Sequence, residues 1–276
     1  MQKLKKLLFT LFVMVLLSSC GEYNKVLNKG KNEDRYKMAV DLYEKGEYKK
    51  AIPLFEKLVG PYAGKPQMER IQYMTADSYY NTENYSLASY YFSKFIVNYA
   101  SSTKVEEAAF LGAKSYYLAS PKYSRDQQDT QKALTAYQEF IDTYPDSELI
   151  PEANKAYTEL ISRLEKKDFE IAKQYYHTEN YTAAITAFDT FNEEHLGSQF
   201  KEDALYYKFK ASYDLGMKSI LSKKEQRLLD ARLAYSKFNK SFPDSDKKKE
   251  VDNMFDDINK ELEKTKEELA TISQNN

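Results

Sequence analysis

The feature that most constrains this chain is a spacing of alanine and aromatic residues that recurs along it. In the first copy, Ala39 is followed at fixed intervals by Ala51 and then by Phe55. The same two intervals recur from Ala76 and from Ala172. Repeats at a regular period are typical of stacked structural units, none of which can bury its own apolar face alone.

The spacing predicts a helix, a short turn and an antiparallel second helix in each copy. Alanines at facing positions let the two helices approach closely, and the aromatic residue fills the groove toward the next pair. In two further copies the interval between alanines is longer, from Ala113 to Ala133 and from Ala211 to Ala231, which lengthens their turns. The five predicted helix pairs are 33–65, 67–100, 104–145, 165–196 and 200–243.

The period identifies the repeat type. The first-helix alanines Ala39, Ala76 and Ala113 are equally spaced, at an interval slightly above the roughly 34 residues of tetratricopeptide repeats. We therefore predict an all-α tetratricopeptide-repeat superhelical solenoid of about five helix pairs. Prolines Pro145 and Pro243 each follow an aromatic residue and precede Asp-Ser, so they end one helix and leave a cap for the next.

The second half of the chain adds two long helices. Pro151 stands at a first helical position, and 152–176 contains neither glycine nor proline, which predicts one long helix leading into the fourth pair. Apolar residues at helical spacing over 247–270 predict a capping helix, which a solenoid requires at its end. The body thus divides into an N-terminal module, 33–145, with an insertion at 120–131, and a C-terminal region, 146–276.

The N-terminus predicts export and lipidation. Residues 1–6 carry three lysines and no acid, and the apolar run over 7–17 is much shorter than the roughly 20 residues that a membrane-spanning helix needs. Leu17-Ser18-Ser19-Cys20 resembles a lipobox, so we predict a signal peptide over 1–19, cleavage between Ser19 and Cys20, and S-diacylglycerol and N-acyl chains on Cys20. Polar residues over 20–32 predict a lipidated flexible tether.

Little in the sequence points to catalysis. The mature chain carries 38 Lys and Arg against 42 Asp and Glu, which does not favour a nucleic-acid partner. Its two histidines, His177 and His195, are distant in sequence and are interpreted as surface residues. No metal-ligand spacing, phosphate loop or nucleophile motif occurs, so we predict no enzyme, no cofactor and no metal.

The insertion in the third pair is the one candidate contact site. A loop of this length in a repeat protein often projects from one face and makes contacts, although a plain solvent-exposed insertion is the alternative. The candidate partner-contact residues are Ser120, Pro121, Tyr123, Arg125, Asp126 and Gln127.

The chain resembles the BamD family of outer-membrane β-barrel assembly lipoproteins, in a version that looks like those of Bacteroidetes. The resemblance is carried by the lipobox, the five helix pairs, the Ser-Pro-x-Tyr-x-x-Asp-Gln insertion and the aromatic-Pro-Asp-Ser connectors. The resemblance covers the chain from Cys20 to the capping helix. It implies a non-catalytic scaffold on the periplasmic side of the outer membrane, held there by its lipid anchor. It also implies that unfolded barrel substrates bind near 33–145, that a BamA-like protein binds near 165–270, and that other assembly lipoproteins are partners.

Two other functions fit the same architecture. One is a tetratricopeptide-repeat lipoprotein scaffold for another envelope process, such as peptidoglycan-linked division or gliding, which gives no reason for the insertion. The other is a glycan-binding lipoprotein. Glycan binders often stack sugars on tryptophan, and this chain has none, although its 25 tyrosines could serve instead.

Overall fold

The computed structural model describes residues 21–274, and all regular secondary structure within them is helical. The helices are α1 (21–29), α2 (Asn32–Glu44), α3 (Tyr48–Leu58), α4 (Gln67–Asn81), α5 (Tyr85–Asn98), α6 (Val105–Ala119), α7 (Gln128–Thr143), α8 (Ile150–His177), α9 (Tyr181–Glu194), α10 (Lys201–Met217), α11 (Leu221–Ser241) and α12 (Lys248–Gln274). The predicted all-α class is confirmed.

The helices form the five pairs that the repeat predicts, from α2 with α3 to α10 with α11. Ten alanines at the predicted facing positions are at most 1% exposed, from Ala39 to Ala231. The aromatic residue that follows is fully buried in the first, second and fourth pairs and nearly so in the third, at Tyr137. In the fifth pair Tyr235 is half-buried, and its ring stacks on Phe255 of α12, the predicted capping helix, with 4.0 Å between the ring centres.

Three of the pairs turn through the same backbone conformation. The second turn residue has a positive φ each time: 73° at Gly46, 61° at Glu83 and 59° at Glu179. In the second pair the N–H of Glu83 donates to Tyr80 O at 3.0 Å and that of the next residue donates to Tyr79 O at 2.9 Å. This pattern satisfies the last carbonyls of the first helix and reverses the chain within a short turn.

The described residues divide into two compact units. The first comprises residues up to Pro121 and Asp126–Leu160, and the second comprises Lys122–Arg125 and the residues from Ile161 onward. The division therefore lies inside α8, not between 145 and 146 as predicted. The start of α8 belongs to the first unit because Glu152 and Glu159 bond to Lys114 at 2.8 Å and to Tyr117 at 2.5 Å.

The structure also corrects the predicted tether, since residues 21–29 form helix α1. Tyr23, Val26 and Leu27 pack against the core of the first unit, and the Tyr23 hydroxyl donates to Lys50 O at 3.1 Å. These residues follow the i, i+3, i+4 spacing of an apolar helical stripe, which the polar composition around them conceals. The predicted signal peptide, with Ser19 and Cys20, lies outside the described residues. Over 21–274, no helix combines the length and the apolarity that crossing a membrane would require.

Candidate binding surfaces

The first unit carries a groove of about 480 Å³ between the first helices of its successive helix pairs. We call it the first-helix groove. The polar and aromatic residues that line it include Tyr43, Arg70, Tyr73, Asp77, Lys104 and Glu107. The repeat places them there, because Tyr43 lies one helical turn after Ala39 and Asp77 directly follows Ala76. Successive first helices therefore present their side chains to the same groove.

One half of the floor of the first-helix groove is formed by a tyrosine and a carboxylate. The Tyr43 hydroxyl donates to Asp77 Oδ2 at 2.6 Å. Burial raises the pKa of Tyr43, and the neighbouring Asp77 raises it further, so the phenol stays a neutral donor. Burial also raises the pKa of Asp77, although the hydrogen bond from Tyr43 opposes that shift. Asp77 is thus a carboxylate held in a poorly hydrated place.

The other half of the floor is a three-residue network. Lys104 Nζ lies 2.6 Å from Glu107 Oε2 and 5.3 Å from the centre of the Tyr73 ring. Burial alone would raise the pKa of Glu107, but hydrogen bonds from Lys104 and from the Tyr73 hydroxyl lower it. The groove therefore combines ionised acceptors with aromatic faces, a combination suited to N–H donors and apolar side chains.

A second type of groove lies between the second helices of successive helix pairs. In the first unit it runs between α5 and α7 over α6 and has a volume of about 560 Å³. Its floor is made of small residues, and a Cβ added at Gly112 would meet Phe92 Cβ at 3.2 Å. Tyr90 and Val97 on α5 are 47% and 81% exposed.

The second unit has the corresponding groove, of about 470 Å³, between α9 and α11 over α10. Here the lining is charged: Lys208 pairs with Asp189 on α9, and Arg227 Nη1 donates to Ser219 Oγ at 2.7 Å. Leu233 on the rim is 71% exposed. The two units thus offer similar grooves with different chemistry.

Both ends of the predicted contact loop bond to the helices that flank it, and its middle lies on α8. Gln127 is 8% exposed and accepts a bond from Thr130 Oγ1 at 2.8 Å, while Asp126 Oδ1 accepts from the N–H of Gln128 at 2.9 Å. Both residues therefore help to start α7, and their role as partner contacts stays a prediction. At the other end, Ser120 Oγ donates to Tyr117 O at 2.6 Å and closes α6.

The middle of the loop is held by α8. The carbonyl of Arg125 accepts from Lys167 Nζ at 2.8 Å, and Lys166 Nζ lies 4.7 Å from the centre of the Tyr123 ring. Pro121, which is half-buried, precedes this segment. The loop 122–125 therefore has a fixed position within the second unit, and its role as a partner contact stays a prediction.

The two histidines are not brought together. His195 Nε2 lies 3.2 Å from Asp168 Oδ2, and His177 is exposed beside the edge of the Tyr207 ring. Among residues 21–274, no group of three or more His, Cys, Asp or Glu side chains could hold a metal ion.

Sequence reasoning missed the polar residues of the first-helix groove. The sequence does carry a signal for two of them, a tyrosine four residues after a first-helix alanine. Tyr176 donates to Asp214 Oδ2 at 3.0 Å in the second unit, as Tyr43 donates to Asp77 in the first. In the first and fourth pairs, therefore, the tyrosine one helical turn after the first-helix alanine faces an aspartate on the next first helix.

Alanine-packed helix pairs with open grooves on their faces define a tetratricopeptide-repeat protein. The chain belongs to the YfiO family, described as outer membrane lipoprotein, whose model matches residues 28–229. The resemblance to the BamD family is thereby confirmed.

Two solved structures are similar at low identity. A tetratricopeptide-repeat protein from Bacteroides fragilis is 15% identical, with a TM-score of 0.41 over 83% of this chain and 98% of its own. A putative kinesin light chain with tetratricopeptide-like repeats from Podosopora anserina is 12% identical, with a TM-score of 0.32 over 75% of this chain and 96% of its own. No curated protein matches this sequence.

Proposed function

We propose that this protein is a non-catalytic scaffold of outer-membrane β-barrel assembly, anchored through lipid on Cys20 at the periplasmic side of the outer membrane. Membership of the outer membrane lipoprotein family supports the location. The open grooves of the two units support protein binding, since repeat proteins of this kind use such surfaces for recognition.

The unfolded substrate is assigned to the first-helix groove. A barrel segment before insertion has unpaired backbone N–H groups and alternating apolar and aromatic side chains. The carboxylates of Asp77 and Glu107 accept such N–H groups, while the faces of Tyr43 and Tyr73 receive the apolar side chains. The single observation that carries this assignment is the placement of two carboxylates, half-buried Asp77 and exposed Glu107, beside aromatic rings in the first-helix groove.

The partner, a BamA-like protein, is assigned to the groove of the second unit. Its lining offers both charge signs, at Lys208 and Asp189, and the exposed side chain of Leu233 as an apolar anchor. A groove with an apolar anchor and flanking charges fits a folded periplasmic domain better than an unfolded chain, because it can fix orientation through paired charges.

The assembly role is tested by gentle-detergent purification of the intact lipoprotein from its native membrane and mass spectrometry of stoichiometric partners. We expect a BamA-like barrel with periplasmic domains, together with further assembly lipoproteins. Recovery of glycan-uptake or cell-wall proteins in place of the barrel would leave the fold intact and overturn the function.

The substrate assignment has its own test. A fluorescent peptide from the last strand of a barrel protein is titrated with the wild type and with Asp77→Asn/Glu107→Gln, and anisotropy is measured. We expect binding to weaken about tenfold, because two charge-assisted acceptors are lost. The control is Glu193→Gln/Glu194→Gln on the exposed end of α9, which removes the same charge. Equal binding by all three proteins would remove the groove from the mechanism.

A further inference from the structure

The second unit contains a pocket of about 430 Å³ where loop 122–125 lies on α8. We call it the insertion pocket, and the lining residues that matter here are Tyr123, Lys167, Glu170, Ile171, Lys173 and His177. We propose that the insertion pocket binds an acidic segment of a partner polypeptide through Lys166, Lys167 and Lys173, with Ile171 and Tyr175 receiving an apolar side chain. The proposal goes beyond the assembly role and does not rest on it.

The lysines of this surface are not neutralised by neighbouring carboxylates. Lys166 Nζ lies over the Tyr123 ring at 4.7 Å, and Lys167 Nζ donates to a backbone carbonyl, that of Arg125. Lys173 Nζ lies over two rings, 5.7 Å from the centre of Phe169 and 5.2 Å from that of Tyr207. Within the described residues none of the three lysines forms an ion pair. Rings and a carbonyl hold the cations in place while leaving their charge uncompensated.

Two acids of the same helix, Glu165 and Asp168, bond away from these lysines. Glu165 accepts from Ser198 Oγ at 2.9 Å, and Asp168 Oδ2 lies 3.2 Å from His195 Nε2. These carboxylates fasten α8 to the segment that follows α9, so they do not face the lysines. Among the residues that line the pocket, Glu170 is the only carboxylate. The local charge is therefore positive in a chain whose formal net charge is −1.

The surface beside the lysines is concave and partly apolar. Ile171 and Tyr175 lie one helical turn apart on α8 and are 43% and 41% exposed. Large apolar side chains next to uncompensated charge are typical of surfaces that bind a partner. The pocket is concave and includes Glu170, which disfavours the close approach of a flat anionic bilayer. A polypeptide with spaced acidic residues can avoid Glu170 and reach the lysines on either side.

The loop of the insertion pocket has a preset position. Loop 122–125 is fastened to α8 by the bond from Lys167 and by the contact of Lys166 with Tyr123. A partner therefore meets a surface that is already ordered, which lowers the entropy cost of binding. This gives the insertion a use that a plain solvent-exposed loop would lack.

The experiment uses a fluorescein-labelled peptide of glutamate, aspartate, leucine and tyrosine, and a second peptide in which lysine replaces each acid. Anisotropy is measured with the mature chain carrying Cys20→Ala, because acyl chains would otherwise bind lipid in the vesicle test below. We expect the acidic peptide to bind, the lysine peptide not to bind, and affinity to fall as salt is raised.

Lys166→Glu/Lys167→Glu should weaken binding of the acidic peptide at least about tenfold, through loss of two attractions and gain of two repulsions. Lys37→Glu/Lys49→Glu on the exposed faces of α2 and α3 changes the net charge equally and should stay within about twofold of the wild type. Should the first variant melt early, Lys166→Gln/Lys167→Gln and Ile171→Ser replace it, with the same direction expected.

Three outcomes would overturn the proposal. The acidic peptide does not bind the wild type, or the two charge variants lose affinity equally. In the third, vesicles containing phosphatidylglycerol bind through these lysines while the peptide does not, which would make the surface a lipid contact. None of these results bears on partner recovery in the native membrane, so the proposed assembly role is judged separately.

Discussion

The hydroxyl of Tyr43 donates a 2.6 Å hydrogen bond to Asp77, and this bond joins the first helices of two consecutive repeats. The two residues are 34 positions apart in sequence. Because Asp77 is half-buried and its pKa is raised by burial, the bond is the main compensation for a carboxylate that has lost part of its hydration. The pair thus serves both the stack of repeats and the proposed substrate groove.

Replacing Tyr43 with Phe should lower the free energy of unfolding by about 1–2 kcal/mol at neutral pH, because Asp77 keeps its burial and loses its donor. Urea unfolding followed by circular dichroism measures the change. The loss should shrink in acid, where Asp77 is protonated, and in an Asp77→Asn background. A loss that is the same at both pH values would show that the hydrogen bond does not compensate the charge.

The two carboxylates of the first-helix groove should affect stability in opposite directions. The pKa of Asp77 is raised, so the folded state holds its proton more tightly and ionisation costs stability as pH rises above 3.8. The pKa of Glu107 is lowered, so its contribution is present above 4.5 and is lost as pH falls through the folded-state value. From acid to neutral pH, Asp77→Asn should gain stability relative to the wild type and Glu107→Gln should lose it. Parallel profiles of the two variants would contradict these signs.

The shared turn predicts how glycine behaves there. Glu83 and Glu179 adopt positive φ, which is unfavourable for residues with a Cβ, so Glu83→Gly and Glu179→Gly should each stabilise the protein by about 0.5 kcal/mol. Gly46→Ala, at the same turn position, should destabilise it by about 1 kcal/mol. The control is Gly60→Ala, where an added Cβ meets nothing within 4 Å. If Gly46→Ala and Gly60→Ala have equal melting temperatures, the positive-φ conformation at the turn carries no strain.

The buried alanines predict the cost of overpacking. Ala88 is 0% exposed between the helices of the second pair, so Ala88→Trp should cost about 3 kcal/mol or more. Ala100→Trp, in the exposed turn after α5, adds the same side chain at little cost. Thermal unfolding of the two variants makes the comparison, and an unchanged Ala88→Trp would invalidate the repeat alignment.

Lipid anchoring is tested at Cys20. The chain with Cys20→Ala, exported behind a signal peptide that is cleaved without lipidation, should leave the membrane fraction and keep the melting temperature of the wild type. Fractionation after high-salt and carbonate washes, with mass spectrometry of the N-terminal peptide, checks both the release and the missing acyl chains. If that variant still sediments with outer membrane, protein contacts hold it there.

The sequence by itself determined the helix pairs, because the intervals from Ala39 to Ala51 and Phe55 reflect local helical geometry that repeats along the chain. The long helix α8 followed from Pro151 and from the absence of glycine and proline over 152–176, and the cap α12 followed from apolar residues at helical spacing over 247–270. Short-range rules failed at α1, where a short apolar stripe is hidden in a polar segment, and at the division of the units inside α8.

Only the tertiary structure decided which side chains face each other. Tyr43 meets Asp77, Lys114 meets Glu152 and Lys166 meets the Tyr123 ring, and the partners in each pair are far apart in sequence. The repeat fixes where a residue sits on its helix, but the neighbour it reaches depends on how adjacent helices are offset and rotated. Charge and burial follow from those offsets, so the grooves and the insertion pocket become visible only once the helices are packed.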